Sequence, residues 1–457
     1  MSFLAVLGMS WSGRLLRRWV GEKEAEIEDS ERTAVERWLR HVGWRAAQLE
    51  VAGIGIWLFT GPLIARTFGI LVPVALPLNL FLIPLAFGVL WVGYLFLFCC
   101  FLSPVVAWPV GVLFDYGLWL MNRLVEFAAE MPGGHQIALP PAGWWLWGWY
   151  PLLLGSLVWL PWAGRGTRVL IPILIWLLVA PVADLYTGKK GPGAGELRMT
   201  MLDVGHGGAI LLESPEGETL LFVCGSMHDE RHAARIVWDC LIERGHRELD
   251  GVILSHADLD HVNNVPVLLG RGPVGRLFVS RAFLDDSQQV VLDAFDATMA
   301  EGVEVQLLQA GDVMRLGESV VLRVLNPGGW PPAEDDNANS LVVQVEYGGR
   351  KLLLTGDVEG EGQRWMFERE RPRRVDVVMA PHHGGRLANP PEFATWCRPK
   401  MVLVSCSDRV DYDRLRETYA GARGLYWTSL DGAVTVRVSA MGALGVETAI
   451  ARGMSGQ

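Results

Sequence analysis

Two histidines and two carboxylates fall inside one short stretch, His256-Ala257-Asp258-Leu259-Asp260-His261. Imidazole and carboxylate together suit Zn, Mn or Fe better than the metals that thiolates select. A solvated acidic turn would account for Asp258 and Asp260, but not for His256 and His261 at the same place. The stretch follows Val252-Ile253-Leu254, an apolar run that reads as a short buried strand ending at Ser255. A loop at the end of a buried strand is where a rigid scaffold presents chemistry. Two further apolar runs end in the same way. Lys351–Leu354 leads to Thr355-Gly356-Asp357, and Val375–Ala380 leads to Pro381-His382-His383-Gly384-Gly385. Singly, Gly-Asp is a common turn pair and His-His can cap a strand. Three such strand ends in one chain form a constellation.

The elements that must hold it begin after Gly188–Gly195, a linker of Gly, Lys and Pro. Leu197–Val204, Ala209–Glu213, Thr219–Val223, Gly251–Ser255, Leu277–Ser280, Ser319–Leu325, Ser340–Tyr347 and Arg350–Thr355 read as strands, as do Val375–Ala380, Met401–Ser405 and Val434–Val438. Helical stretches include Asp229–Arg244 and Gln288–Ala300. Strand pairs with helices outside them predict a layered α/β sandwich.

The first part of the chain is different. Most of the 20 Trp lie before Lys189, among long apolar segments. Residues 11–50 carry dense mixed charge and read as a solvated amphipathic helix. Five candidate spans follow: Val51–Ile70, Leu71–Cys100, Val105–Phe127, Trp144–Trp162 and Val169–Tyr186. Pro73, Pro77 and Pro84 suggest a re-entrant piece before a full helix in the second, and the Trp-rich fourth has an interfacial composition. Arg165 and Arg168 form the basic short loop. Starting inside and crossing five times places that loop inside and residues 190 onward outside the cytoplasm.

The 457 residues allow two or three domains. A net charge of -10 argues against a generally basic nucleic-acid binder, while a local basic groove stays compatible with it. Six Cys without CxxC spacing argue against a thiolate zinc site or a disulfide framework. Met1–Met9 lacks the basic n-region of a cleavable signal peptide. The expected organisation is a membrane part over 1–187, a linker over 188–195, a sandwich over 196–440 and a tail over 441–457.

Several motifs fit one family. Leu202-Asp203-Val204-Gly205-His206-Gly207-Gly208-Ala209 is similar to DVGQGDA, and His256–His261 to HxDxDH. Asn337-Ala338-Asn339-Ser340-Leu341-Val342, Leu354-Thr355-Gly356-Asp357, Pro381-His382-His383-Gly384 and Trp427–Val434 complete the series. The chain thus resembles the metallo-β-lactamase superfamily, and within it ComEC-type competence proteins, from Met1 to about Val438. The resemblance implies an α+β chain: helical transmembrane segments of a partial channel domain, then an αβ/βα sandwich. It implies a multi-pass cell-membrane protein with its C-terminal domain extracytoplasmic. Its partners would be the membrane and DNA, one strand transported and the other degraded, together with a separate chain supplying the missing channel helices and an OB-like domain.

The site follows from the same resemblance. A divalent metal, Zn or Mn, is expected at one tight site and a second weak one, with hydrolysis of phosphodiester bonds as the reaction. Asp260 would ligate or orient the nucleophile and Asp357 would bridge, with His261 and either His382 or His383 completing the first site. His256 and Asp258 would begin the second, with His206 as an additional ligand if it reaches there and a surface-loop residue otherwise. Asp203, Asn339 and Ser340 support the motifs. The departures are His206 for Gln, Gly208 for Asp, no carboxylate in Phe222-Val223-Cys224-Gly225, and no histidine in residues 262–356. They raise an alternative: a catalytically weakened DNA-binding or structural subunit of a split uptake channel.

Overall fold

The computed structural model describes residues 6–7, 9–12, 33–68, 70–131, 133–134, 136–137, 143–159, 171–179, 193, 195–328, 332–369, 374–407 and 411–450. The chain divides into two compact units, Met1–Gly188 and Lys189–Gln457.

In the first unit, α1 (Ala34–Phe68) starts at a reciprocal cap. Thr33 N–H donates to Glu36 Oε2 at 2.8 Å, and Glu36 N–H donates to Thr33 Oγ1 at 3.3 Å. The charged stretch expected as a helix from residue 11 thus becomes helical by Ala34, while residues 13–32 lie outside the described ones. A two-residue strand, β1 (Ile70–Leu71), separates α1 from α2 (Ala75–Leu102), which α3 (Pro104–Glu130) follows after Ser103. A second short strand, β2 (Gln136–Ile137), pairs antiparallel with β1. No re-entrant piece forms between residues 71 and 84. Pro77 sits in the first turn of α2, where an amide has no helical partner to lose, and Pro84 lies within the same continuous helix. Residues 75–102 make one rod about 42 Å long. Small residues seat α2 on α3: a Cβ on Gly117 would meet Val89 Cγ2 at 2.6 Å, and the Phe96 and Phe114 rings stack at 6.3 Å.

Three described stretches are long and apolar enough to cross a membrane: His41–Thr67, Ala75–Leu102 and Pro104–Ala129. The Trp-rich segment forms α4 (Gly143–Trp159), with Trp145 and Trp149 buried and Trp144 and Trp147 exposed. The two buried rings stack at 5.1 Å in a cluster with Trp11, Phe59, Leu153 and Ile173. Each indole finds an acceptor: Trp149 donates to the Leu58 carbonyl at 3.1 Å, and Trp11 to Ser156 Oγ at 2.8 Å. Residues 171–179 are helical. The basic loop of Arg165 and Arg168, and most of the expected linker, lie outside the described residues.

The second unit is two sheets packed face to face. The first contains β3 (Glu196–Met201), β4 (Gly207–Glu213), β5 (Thr219–Ser226), β6 (Gly251–Ile253), β7 (Arg276–Val279) and β8 (Glu304–Leu307). The second contains β9 (Val313–Leu316), β10 (Val320–Asn326), β11 (Val342–Tyr347), β12 (Arg350–Leu354), β13 (Val377–Met379), β14 (Met401–Val404) and β15 (Gly424–Trp427). β16 (Val434–Ser439) and β17 (Leu444–Thr448) return to the first sheet, whose order is β17-β16-β3-β4-β5-β6-β7-β8. Residues 444–448, expected in the tail, therefore form an edge strand paired antiparallel with β16. Inward side chains of both sheets, among them Met199, Phe222, Leu322, Val343, Leu354 and Val436, make one core. This is the expected α+β sandwich. The three loops of the constellation leave β6, β12 and β13.

A buried ionic cluster braces the first sheet. Glu213 on β4 is fully buried and accepts from Arg244, from Arg198 Nη1 at 3.2 Å and from the His246 ring at 3.0 Å. Burial opposes its charge, yet His246, Arg244 and Arg198 hold the carboxyl below its ordinary range. A depressed folded value adds stability above the ordinary carboxylate range and loses it as pH falls through the folded value. Glu213→Ala would leave two guanidinium groups without their shared acceptor, at a cost of about 3–5 kcal/mol. A thermal melt of the full chain should show the second unit's transition lowered by about 6–15 °C at neutral pH. The difference should shrink in acid; an equal difference at both pH values would contradict this role.

Candidate metal centre

The His256–His261 loop is shaped by its attachments to β5. Asp258 is extended (φ -79°, ψ 148°) and precedes a single helical turn, Leu259–Val262. Asn263 clamps that turn: its Oδ1 accepts Ser226 N–H at 3.0 Å, and its Nδ2 donates to the Ser226 carbonyl at 2.8 Å. Asn264 N–H donates to the Cys224 carbonyl at 3.3 Å. The turn lies so close to β5 that a Cβ on Gly225 would collide with the backbone of Asp260 and His261. The opposite sheet is tied in where Leu341 N–H donates to the Ser255 carbonyl at 2.8 Å.

Asp357 enters through a left-handed glycine. Gly356 has φ +52°, and a Cβ there would meet Ser255 Cβ at 2.8 Å. Asp357 N–H then donates to Ser340 Oγ at 3.2 Å. His382 and His383 are both left-handed, with φ 50° and 52°, which sends consecutive imidazoles to different places. His383 Nδ1–H donates to the Ser405 carbonyl at 2.9 Å, which fixes its tautomer and turns Nε2 inward. His382 stays near the surface, with Nδ1 3.2 Å from Glu359 Oε2.

Nitrogens and carboxylates converge between the sheets. His261 Nε2 lies 3.1 Å from Asp357 Oδ1 and 3.3 Å from His383 Nε2. His383 Nε2 lies 3.0 Å from Asp260 Oδ2 and 3.7 Å from Asp357 Oδ2. Ser255 Oγ is 2.9 Å from His256 Nδ1 and 3.2 Å from His261 Nδ1, which leaves both Nε2 atoms for the interior. His256 Nε2 is buried without a hydrogen-bond partner, 3.3 Å from Asp258 Oδ2. Burial disfavours charge on Asp260 and Asp357, but the surrounding imidazoles hold both well below the carboxylate range. Burial lowers the His383 pKa, and Asp357 and Asp260 override it to reach about 9. The same two carboxylates that attract a proton to His383 would attract a metal ion.

Two adjoining donor sets result, divided otherwise than expected: His256 groups with His261 and Asp357 instead of with Asp258, and Asp260 and His383 group with His206. His256, His261 and Asp357 are all buried, and one donor atom of each lies within 4.8 Å of the others. His206, Asp260 and His383 form the second set by the same measure. His206 is half exposed, with Nε2 3.7 Å from Asp260 Oδ2 and its ring 4.7 Å from that of His383. His206 is an exposed loop residue, as one of the two expected readings had it, and it stands beside Asp260 and His383 rather than beside His256 and Asp258. Among the remaining expected residues, His382 Nε2 comes within 3.8 Å of Asp357 Oδ2. Asn339 braces its own loop through the backbone of Ala333 and Asp335. Asp203 is exposed, and its charge acts on His232.

Four residues of the site had no assigned role in the sequence reading: Ser255, Gly225, Glu359 and Ser405. Ser405 closes an apolar strand, as the other site residues do. Its carbonyl holds His383, and its hydroxyl donates to the Gly207 carbonyl at 2.6 Å. Gly208 lies close to Val223: a Cβ on Gly208 would meet Val223 Cγ2 at 2.6 Å and His261 Cε1 at 3.9 Å.

Paired sheets with imidazoles and carboxylates gathered at their strand ends define a metallohydrolase-type fold. The chain belongs to the metallo-beta-lactamase superfamily, whose family model matches residues 202–431. A second family model, Competence protein, matches residues 1–164. A competence segment followed by a metallo-beta-lactamase domain is the ComEC-type order, and with the three long apolar helices among its described residues the chain is a membrane protein. ComE operon protein 3 of Bacillus subtilis is 28% identical over 232 residues, 48% of this chain and 29% of that protein. Competence protein ComA of Neisseria gonorrhoeae is 25% identical over 212 residues, 46% of this chain and 27% of that protein. Ribonuclease TTHA0252 of Thermus thermophilus is 29% identical over 145 residues, 29% of this chain and 32% of that protein. The chain spans less than a third of the length of each.

Proposed function

We propose that the chain takes part in DNA uptake across the cytoplasmic membrane during natural transformation, with its C-terminal unit acting as a metal-dependent phosphodiesterase. The observation that carries this reading is the convergence of the His261 and His383 Nε2 atoms on Asp260 and Asp357. The match of the competence model supports DNA as the substrate, and the likeness to a protein named a ribonuclease supports phosphodiester cleavage as the reaction. His256, His261 and Asp357 would hold one divalent ion, Zn or Mn, and His206, Asp260 and His383 a second, with Asp357 near both. When bound, such ions supply Lewis acidity, which acidifies water and stabilises charge on a phosphoryl oxygen. Asp260 is held anionic, so at neutral pH it orients and ligates rather than accepting a proton. His383, fixed by Ser405, keeps Nε2 aimed at it. His206 stands at the exposed rim, where a phosphodiester would enter.

The test is cleavage of single- and double-stranded DNA by the full chain in detergent, with Mn2+ or Zn2+ added after chelation. Cleavage that follows metal occupancy supports the reading. Metal uptake with no cleavage of either substrate moves the unit to the second reading, a catalytically weakened DNA-binding or structural subunit. Gly208 and the segment Phe222–Gly225, where the resemblance implies acidic groups that this chain lacks, favour that alternative.

The fully buried set should bind the tighter ion and the half-exposed His206 set the weaker one, giving about one tightly held metal per chain. His206→Ala should weaken the second ion at least about tenfold and leave the first in place. Equal loss of both ions in a metal titration would contradict the two-set assignment.

Five crossings would place the second unit outside the cytoplasm, with a separate chain completing the channel. A reporter fused after Gln457 that is active only outside the cytoplasm should report activity; fluorescence of a cytoplasm-restricted reporter at the same point would reverse the topology.

A further inference from the structure

A third group of ligand-type side chains lies away from the centre just described, where β5 gives way to the helix His232–Glu243. His228, Asp229 and His232 each bring one donor atom within 4.8 Å of the others. The two imidazole rings are 4.7 Å apart and inclined at 52°. His228 and Asp229 are exposed, whereas His232 is partly buried and its Nδ1 is shielded from solvent with no hydrogen-bond partner. Asp229 Oδ1 accepts Arg231 N–H at 2.6 Å, which pins the carboxylate next to the rings. Arg235 opposes a cation here, and the charges of Asp229 and Asp203 offset it.

We propose that His228, Asp229 and His232 form a separate metal site that takes Zn2+. Two imidazoles and one carboxylate select a borderline ion over Mg2+ or Ca2+, which prefer all-oxygen shells. Burial and the neighbouring His228 lower the His232 pKa, so its ring is a neutral donor at neutral pH. Three ligands from one short segment leave the fourth tetrahedral position to water, which makes this an exposed, exchangeable site.

Its position gives it a structural purpose. Met227 N–H donates to the His206 carbonyl at 2.8 Å. Ser226 Oγ donates to the Val204 carbonyl at 2.7 Å and accepts His228 N–H at 3.1 Å. An ion held by His228, Asp229 and His232 would therefore fix the segment on which the His206 loop leans. His228 and His232 are positioning residues for that loop. The binding itself does not depend on the phosphodiesterase reading.

The test is protection from diethyl pyrocarbonate, mapped by peptide mass spectrometry on the full chain in detergent after chelation. Zn2+ should protect His228 and His232, and Mg2+ should protect neither. A His228→Gln variant changes only an exposed side chain, so its folding is not in question. It should lose Zn2+ protection of His232 and bind Zn2+ at this site at least about tenfold more weakly. Unprotected His228 and His232 at saturating Zn2+, or protection of His232 that survives His228→Gln, would overturn the proposal. Because each histidine is read separately, failure here is distinguishable from failure at His256, His261 or His383.

Discussion

Asp357→Ala in the full chain should release metal from both donor sets and bring DNA cleavage to background. One carboxylate oxygen faces His261 at 3.1 Å, and the other faces His383 at 3.7 Å and His382 at 3.8 Å. Asp260 also reaches both sets, but through one oxygen, Oδ2, at 3.0 Å from His383 and 4.0 Å from His261. Without Asp357, the His261 and His383 nitrogens, 3.3 Å apart, lose the buried negative charge that lets cations gather there. The rate loss should be at least the ~10²–10³-fold that follows removal of one preorganised electrostatic group. Metal content of the purified variant, alongside the DNA assay, decides the matter. Native metal content in Asp357→Ala would remove this residue from the centre. Native content with lost cleavage would make it a positioning group instead.

Gly225→Ala should damage the same centre without altering any group that binds or reacts. The added Cβ would strike Asp260 C, Asp260 O and His261 N, which are main-chain atoms that no side-chain rotation can move aside. The turn carrying both ligands must shift, and overpacking of this kind costs about 1–3 kcal/mol or more. Metal affinity should fall in both donor sets, since Asp260 belongs to one and His261 to the other. Gly270→Ala is the matched control. It lies on the helix Val265–Arg271 that follows the same turn, with nothing within 4 Å of its Cβ, and should add about 0.5–1 kcal/mol. If both variants bind metal like the native chain, β5 is not the template for the turn.

Much of this architecture is written locally. β6, β12 and β13 are short apolar runs with polar groups directly after them, so both strands and site loops can be read from sequence. Other features depend on distant partners. The division of labour between His382 and His383 is set by two left-handed residues and by the Ser405 carbonyl, none of which the motif reveals. His206 meets Asp260 and His383 only because the loop before β4 closes over the turn after β6. β8 (Glu-Val-Gln-Leu) and β17 (Leu-Gly-Val-Glu-Thr) do alternate, but they are four- and five-residue strands at the two edges of the sheet, too short for the alternation to mark them in sequence. Trp composition does not tell which rings are buried: Trp145 and Trp149 find backbone acceptors and ring partners inside the first unit, while Trp144 and Trp147 of the same helix stay exposed.

The Gly208–Val223 contact also constrains how this domain can change its sequence over generations. Val223 holds φ 59°, a left-handed backbone that a β-branched residue adopts only at a cost, whereas Asp or Asn tolerates it better. A carboxylate introduced at Gly208 first would run into Val223 Cγ2 beside the His261 ring. A change at Val223 first relieves the backbone and opens the space. The two positions are therefore coupled, and the introduction of an acidic pair here has a preferred order, Val223 before Gly208. A carboxylate gained at Gly208 alone would meet the clash before any relief, so the single change there is the blocked first step.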